Sequence, residues 1–192
     1  MIIGVLSVQG AVSEHLHQLK SCGAEAVAVR NAASLAGVCG LIIPGGESTT
    51  IGKLIELFGL TEAIRERYHD NSLALFGTCA GMILLAREVV DGIEGQPGLK
   101  LMDITVRRNA FGRQRDSFEA PVHLKTFDSP ITGVFIRAPI IDGIGQSVDI
   151  LASLPEGIVA ARQDRILVTS FHPELTDDLQ LHQYFLKMCE QI

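Results

Sequence analysis

The sequence predicts an α/β fold with a central, mostly parallel sheet and extra antiparallel strands in its second half. Two patterns and a length predict it. Up to about residue 102, short runs of β-formers alternate with segments of helical spacing, as βαβ units do; beyond it, strand follows strand with little helix between. The 192 residues suit one compact domain, 1–192, and leave little room for a second core.

Residues 2–8 read as a buried strand, 12–21 as a helix, 26–30 as a second strand and 40–43 as a third, which Pro44-Gly45-Gly46 ends. Residues 49–58 and 61–69 carry helical spacing. Residues 73–77 form a continuous apolar run of the kind central parallel strands show, with Cys79 just past its end. Further strands are expected at 103–108, 120–126, 133–137, 148–154, 158–163 and 166–170. Thr176, followed by Asp177 and Asp178, is expected to cap a last helix carrying Leu179, Tyr184, Leu186 and Met188. The stretch 91–98 reads as an exposed loop.

Charge and composition exclude several classes. Sixteen basic against 22 acidic residues give a net charge of −6, so no nucleic-acid partner is expected. A hydrophobic fraction of 47% with 20% charged residues is too apolar for disorder. The first basic residue is Lys20, with Glu14 before it, so the apolar start lacks the positive flank of a secretory signal. The uncharged stretch 71–86 falls short of the ~20 residues that span a bilayer, and no membrane association is expected. Cys22, Cys39, Cys79 and Cys189 show no C-x-x-C spacing, which fits a reducing, cytoplasmic setting.

Gly77-Thr78-Cys79-Ala80-Gly81 has the G-x-nucleophile-x-G form of a strand-to-helix elbow, between an apolar strand (LALF) and an apolar helix start (MILLA). A sulfur at such a turn sits over a helix N-terminus, where the dipole favours thiolate. Cys22, Cys39 and Cys189 lack that setting and read as inert. A thiolate needs a proton carrier, and His172-Pro173-Glu174, after the strand at 166–170, supplies a pair. With proline favouring extended chain, residues two apart point the same way, so Glu174 can hold the tautomer of His172. Pro44-Gly45-Gly46-Glu47-Ser48 follows a strand and precedes a helix, so its glycines can turn N–H groups toward an anion; Gly46 and Ala80 N–H are the candidate oxyanion donors. A phosphate-binding P-loop fails on spacing, since five residues rather than four separate Gly46 from Gly52. His15 and His17 diverge by roughly 200° on a helix, and His69, His123 and His182 stand apart, so no metal and no cofactor are expected.

In this order, PGGES, GTCAG and SFHPE resemble the class I, triad-type glutamine amidotransferases. More narrowly, VLSVQGAVSEHL, PGGESTT, FGTCAG, RRNAFGRQRDSFEA, GVFIRAP and SFHPELTDD are similar, from one end of the chain to the other, to the family of glutaminase subunits of pyridoxal 5′-phosphate synthases. The resemblance implies a three-layer, flavodoxin-like fold. It implies hydrolysis of L-glutamine to glutamate and ammonia, with the ammonia passed to a barrel-shaped synthase subunit in a hetero-oligomer. It makes Cys79 the nucleophile, His172 the acid/base and Glu174 its partner, and brings Gly46, Glu47, Ser48, Arg108, Ile136 and Arg137 to the substrate. Two arginines suit an amino acid, because a guanidinium pairs with a free α-carboxylate. Gln9-Gly10-Ala11 matches the segment that faces the synthase.

Rival readings are the glutaminase of another amidotransferase, a γ-glutamyl peptidase on the same fold, and a silent glutamine-sensing or assembly subunit. The first two part on product assays with glutamine and γ-glutamyl peptides. The third requires that glutamine bind without forming glutamate.

Overall fold

The computed structural model describes residues 1–90, 92, 95–111 and 117–192. The loop expected at 91–98 and the middle of the RRNAFGRQRDSFEA segment lie partly outside these residues. In chain order the elements are β1 (Ile2–Leu6), α1 (Val12–Ser21), β2 (Glu25–Val29), α2 (Ala32–Leu35), β3 (Gly40–Ile43), α3 (Ser48–Leu57), α4 (Leu60–His69), β4 (Ala74–Thr78) and α5 (Ala80–Leu85). There follow β5 (Ala86–Val89), β6 (Met102–Arg107), β7 (Ser117–Val122), β8 (Ile131–Ile136), β9 (Ile140–Ile144), β10 (Asp149–Leu154), β11 (Gly157–Gln163) and β12 (Ile166–Thr169). A single 3₁₀ turn at Pro173–Leu175 precedes α6 (Gln180–Cys189).

Among the described residues one large sheet runs β2-β1-β3-β4-β12-β11-β9-β6-β5, with β10 on β11, and β7–β8 form a separate hairpin. The steps from β2 to β12 are all parallel. From β12 to β6 they are antiparallel. The strand period of two sorts each parallel strand between two cores. Leu6, Leu41, Ile43, Leu75, Ile166 and Val168 face the core under α2 to α5. Ile3, Val5, Ile42, Phe76 and Leu167 face the other, with α1, α6 and the β7–β8 hairpin. Register aligns like with like: Leu41 and Ile166 flank Leu75, while Ile42 and Leu167 flank Phe76. Helices therefore cover both faces, the three-layer α/β architecture that the motifs imply.

Most expected strands and helices appear within a few residues of their expected bounds, and three short elements besides the 3₁₀ turn went unanticipated. Four-residue α2 is held by Asn31, whose side chain accepts from Ser34 N, and is too short to show a period. β5 starts at Ala86, the residue directly after α5, with no turn signal between. β9 carries Asp142 and Gly143, depleted in strands, and the Arg107–Asp142 pair at 2.7 Å offsets that choice. The strand expected at 120–126 instead spans Ser117–Val122; Pro121 is tolerated because, among the described residues, β7 pairs with β8 alone. The last helix does not begin at Thr176. That hydroxyl donates to Pro173 O at 3.2 Å and accepts from Asp178 N, so it belongs to the 3₁₀ turn, and Asp178 Oδ1 accepts the Gln180 amide at 2.8 Å instead.

Candidate active site

The parallel strands aim their C-terminal ends at one place. β1 leads to Gln9 and Gly10, β3 to the Pro44–Gly46 loop, β4 to Cys79 and β12 to His172. Together they line a cleft of about 450 Å³. Crevices at strand C-termini are where open α/β sheets bind ligands.

Cys79 sits between β4 and α5 with φ 50° and ψ −101°, a conformation that costs a non-glycine residue about 1–3 kcal/mol. Its amide is fixed to Thr169 O on β12 at 2.8 Å. The flanking glycines are close-approach positions: a Cβ on Gly77 would meet Gly81 at 2.6 Å, and one on Gly81 would meet Ile43 O on β3. Such packing holds the elbow sharp, and Cys79 is only 7% exposed. Its Sγ lies 3.9 Å from Ile136 O, at the end of β8.

His172 Nδ1 lies 2.8 Å from Glu174 Oε1. Extended chain does not make this pair: Pro173–Leu175 is a 3₁₀ turn, with proline at its first position, and the turn folds the carboxylate back onto the ring. Burial alone would lower the His172 pKa, but hydrogen bonding to Cys79, the bond to Glu174 and the charges of both raise it to about 10. Burial opposes ionisation of Glu174, yet His15 and His172 beside it hold its carboxyl below the ordinary range. A protonated ring thus faces the sulfur, backed by a carboxylate.

The Pro44–Gly46 loop borders the same cleft. Gly45 N–H donates to Thr78 Oγ1 at 3.0 Å and Glu47 N–H to Gln9 Oε1 at 2.9 Å. Gly46 N–H, between them, has no acceptor among the described residues. Ala80 opens α5, where helix geometry leaves amides without intrahelical partners. The Glu47 side chain does something the sequence did not reveal: it caps α3, accepting from Thr49 N at 3.0 Å and Thr50 N at 2.7 Å. The Thr50 hydroxyl, first among these bonds, brings its pKa to about 2. Arg108 Nη2 lies 4.0 Å from Glu47 Oε1. Ser48, Arg108, Ile136 and Arg137 line the cleft, as does Asn109, which the sequence did not single out.

His15 and His182, read from sequence as unrelated, meet behind Glu174. His15 Nδ1 is 2.9 Å from His182 Nε2, and His15 Nε2 is 3.4 Å from Glu174 Oε2. Burial lowers the His15 pKa, so this is a neutral ring against a carboxylate and not an ion pair. The two histidines are 167 positions apart, a separation no spacing rule bridges.

Residues 5–191 match the SNO glutamine amidotransferase family. The chain belongs to that family. It is 52% identical over 191 residues to "Pyridoxal 5′-phosphate synthase subunit PdxT" of Niallia circulans, covering 100% of this chain and 99% of the relative. The protein of the same name from Corynebacterium jeikeium is 53% identical over 192 residues, covering 100% and 98%. A crystal structure titled as a glutamine amidotransferase superposes with a TM-score of 0.95 at 48% identity, covering 99% of this chain and 100% of that one. A putative GMP synthase component from Thermoplasma acidophilum, 16% identical with a TM-score of 0.70, covering 100% of this chain and 94% of that one, shares the fold. The family resemblance drawn from PGGES, GTCAG and SFHPE is borne out, and so is the class I amidotransferase fold. For this family member, no helix among the described residues is long and apolar enough to cross a membrane.

Proposed function

We propose that this amidotransferase hydrolyses L-glutamine to glutamate and ammonia, and supplies the ammonia to the barrel-shaped synthase subunit of a pyridoxal 5′-phosphate synthase. The observation that carries the reading is that Cys79 and His172 line one cleft and hydrogen-bond to each other, with Glu174 2.8 Å behind the His172 ring. The Cys79 thiolate attacks the side-chain amide carbon of glutamine. Negative charge then develops on the amide oxygen, where Gly46 and Ala80 N–H receive it; losing one such donor typically costs about 2.7–4 kcal/mol of transition-state stabilisation. His172 gives its proton to the departing nitrogen, ammonia leaves and a thioester remains. His172 next takes a proton from water, whose oxygen attacks the thioester carbon, and glutamate departs as the sulfur is restored. Glu174 holds the His172 tautomer throughout. Arg108 and Arg137 pair with the substrate α-carboxylate, while Ser48 and Ile136 shape the wall. Gln9, Gly10 and Ala11, on the rim, face the synthase.

The names of the relatives support the partner, and the family supports the substrate. Glutamate formation by the full chain, with and without the synthase subunit, tests the proposal. Wild type with its partner forms glutamate, and Cys79→Ala forms none while still assembling. Retained turnover in Cys79→Ala, or none in wild type with the partner present, overturns it.

A further inference from the structure

The reaction as proposed makes no use of the buried polar cluster behind Glu174. His15 on α1 and His182 on α6 are both fully enclosed, with Phe76 of β4 edge-on to each ring. Besides its 2.9 Å contact with His182, the His15 ring reaches two groups through Nε2: Glu174 Oε2 at 3.4 Å and Thr78 Oγ1 at 3.3 Å. Thr78 in turn accepts the Gly45 amide. One ring thus touches the acid of the triad and, through a hydroxyl, the Pro44–Gly46 loop.

Proton bookkeeping orders the cluster. Burial pushes His15 below its ordinary pKa and His182 down to about 3, so both rings are neutral and each carries one N–H. An ionised carboxylate only accepts, so the tautomer with hydrogen on His15 Nε2 is favoured. Nδ1 of His15 is then an acceptor, and His182 must donate from Nε2 to reach it. That leaves a lone pair on His182 Nδ1, which is the atom of that ring without a partner. An unmatched acceptor is the less rare kind of buried orphan. Glu174 Oε2 makes no hydrogen bond among the described residues; His15 Nε2, 3.4 Å away, faces it in a polar contact outside hydrogen-bond geometry.

We propose that His15 is a positioning residue: its Nε2 edge, hydrogen-bonded to Thr78, holds the loop carrying Gly46 and sets a polar contact behind the rear oxygen of Glu174, while His182 locks its tautomer. The inference rests on the reading of Glu174 as the partner of His172. The titratable groups around it are Glu14 and His17 on α1, His172 after β12, Asp177 across an adjoining cleft, and His182 on α6, with Cys79 beyond the His172 ring.

The test is kcat and KM for glutamine between about pH 3.5 and pH 9, using full-length His15→Leu, His15→Gln and His182→Phe with the synthase subunit. Without a donor the Glu174 carboxyl titrates higher, so the acid limb of kcat moves up in pH in His15→Leu. Its kcat falls about tenfold, within the cost of leaving buried polar groups without their neighbour, with KM changed less. His15→Gln restores a donor in the Nε2 position and recovers most of the kcat and the wild-type acid limb. His182→Phe keeps a ring in place yet frees the His15 tautomer, and moves the limb in the same direction; it decides the matter should His15→Leu not fold. A folded His15→Leu with wild-type kcat and profile overturns the inference, as does equal loss in His15→Leu and His15→Gln with an unmoved limb. A wild-type chain that makes no glutamate with its partner overturns the reading beneath it; an active wild type with unmoved variants overturns the inference alone.

Discussion

Gly45 and His172 touch where no side chain fits: a Cβ on Gly45 would fall against the imidazole ring at Cε1. The backbone of β3's loop is thus a wall of the histidine pocket, and the two parts of the site cannot move independently. Gly45→Ala is expected to tilt the ring away from Cys79. Misplacement by about 1 Å can cost on the order of a hundredfold in rate. Steady-state kinetics should show that loss mainly in kcat, with a cooperative melt showing that the fold persists.

Cys79 occupies a backbone conformation that glycine adopts more readily, with φ 50° and ψ −101°. Elsewhere Gly→Ala stabilises by about 0.4–1 kcal/mol through the unfolded chain; here strain opposes that gain. Cys79→Gly is therefore expected to melt at or above the temperature of Cys79→Ala, both inactive. Calorimetry of the two variants checks the order, and a clearly more stable alanine variant would remove the strain argument.

His172 links the site to pH. Its folded pKa, about 10, exceeds the unfolded value of 6.5. A raised pKa contributes stability that is fully present below pH 6.5 and is lost as pH rises toward about 10. Melting temperatures of wild type and His172→Gln should converge across that interval, the advantage of wild type being larger at its acid end.

Glu47 shows the opposite sign. Its carboxyl titrates near 2 in the folded chain against 4.5 unfolded, so its contribution is present above pH 4.5 and fades as pH falls toward 2. Replacing this cap, Glu47→Ala, should cost about 1 kcal/mol at neutral pH, with the gap narrowing in acid. Denaturant titrations at several pH values measure it.

Local chemistry was the legible part of this sequence. The elbow at Cys79 announces itself because its glycines, its strand and its helix are all neighbours in the chain. The alternation of apolar residues separates the two faces of β1, β3, β4 and β12 for the same reason. What stayed hidden depended on distant parts of the chain meeting. Glu47 was read toward the cleft, which it lines, but nothing in PGGES shows that Thr49 and Thr50 would also claim its carboxylate. His182 looked solitary because its partners sit on α1 and beyond β12. Glu174 was paired with His172 on an extended-chain argument, whereas a 3₁₀ turn brings the two side chains together. Thr176 likewise looked like a helix cap until the turn before it took the hydroxyl.

The claim on which the rest depends is that the sulfur of Cys79 bonds to the side-chain carbon of glutamine. A glutamine analogue with an electrophilic diazoketone in place of the amide, incubated with the chain and its synthase partner and followed by peptide mass spectrometry, tests it most directly. One adduct is expected, on Cys79, suppressed by excess glutamine and absent from Cys22, Cys39 and Cys189. Glutamine turnover with Cys79 left unlabelled, or an activity-killing adduct on another residue, would contradict the account.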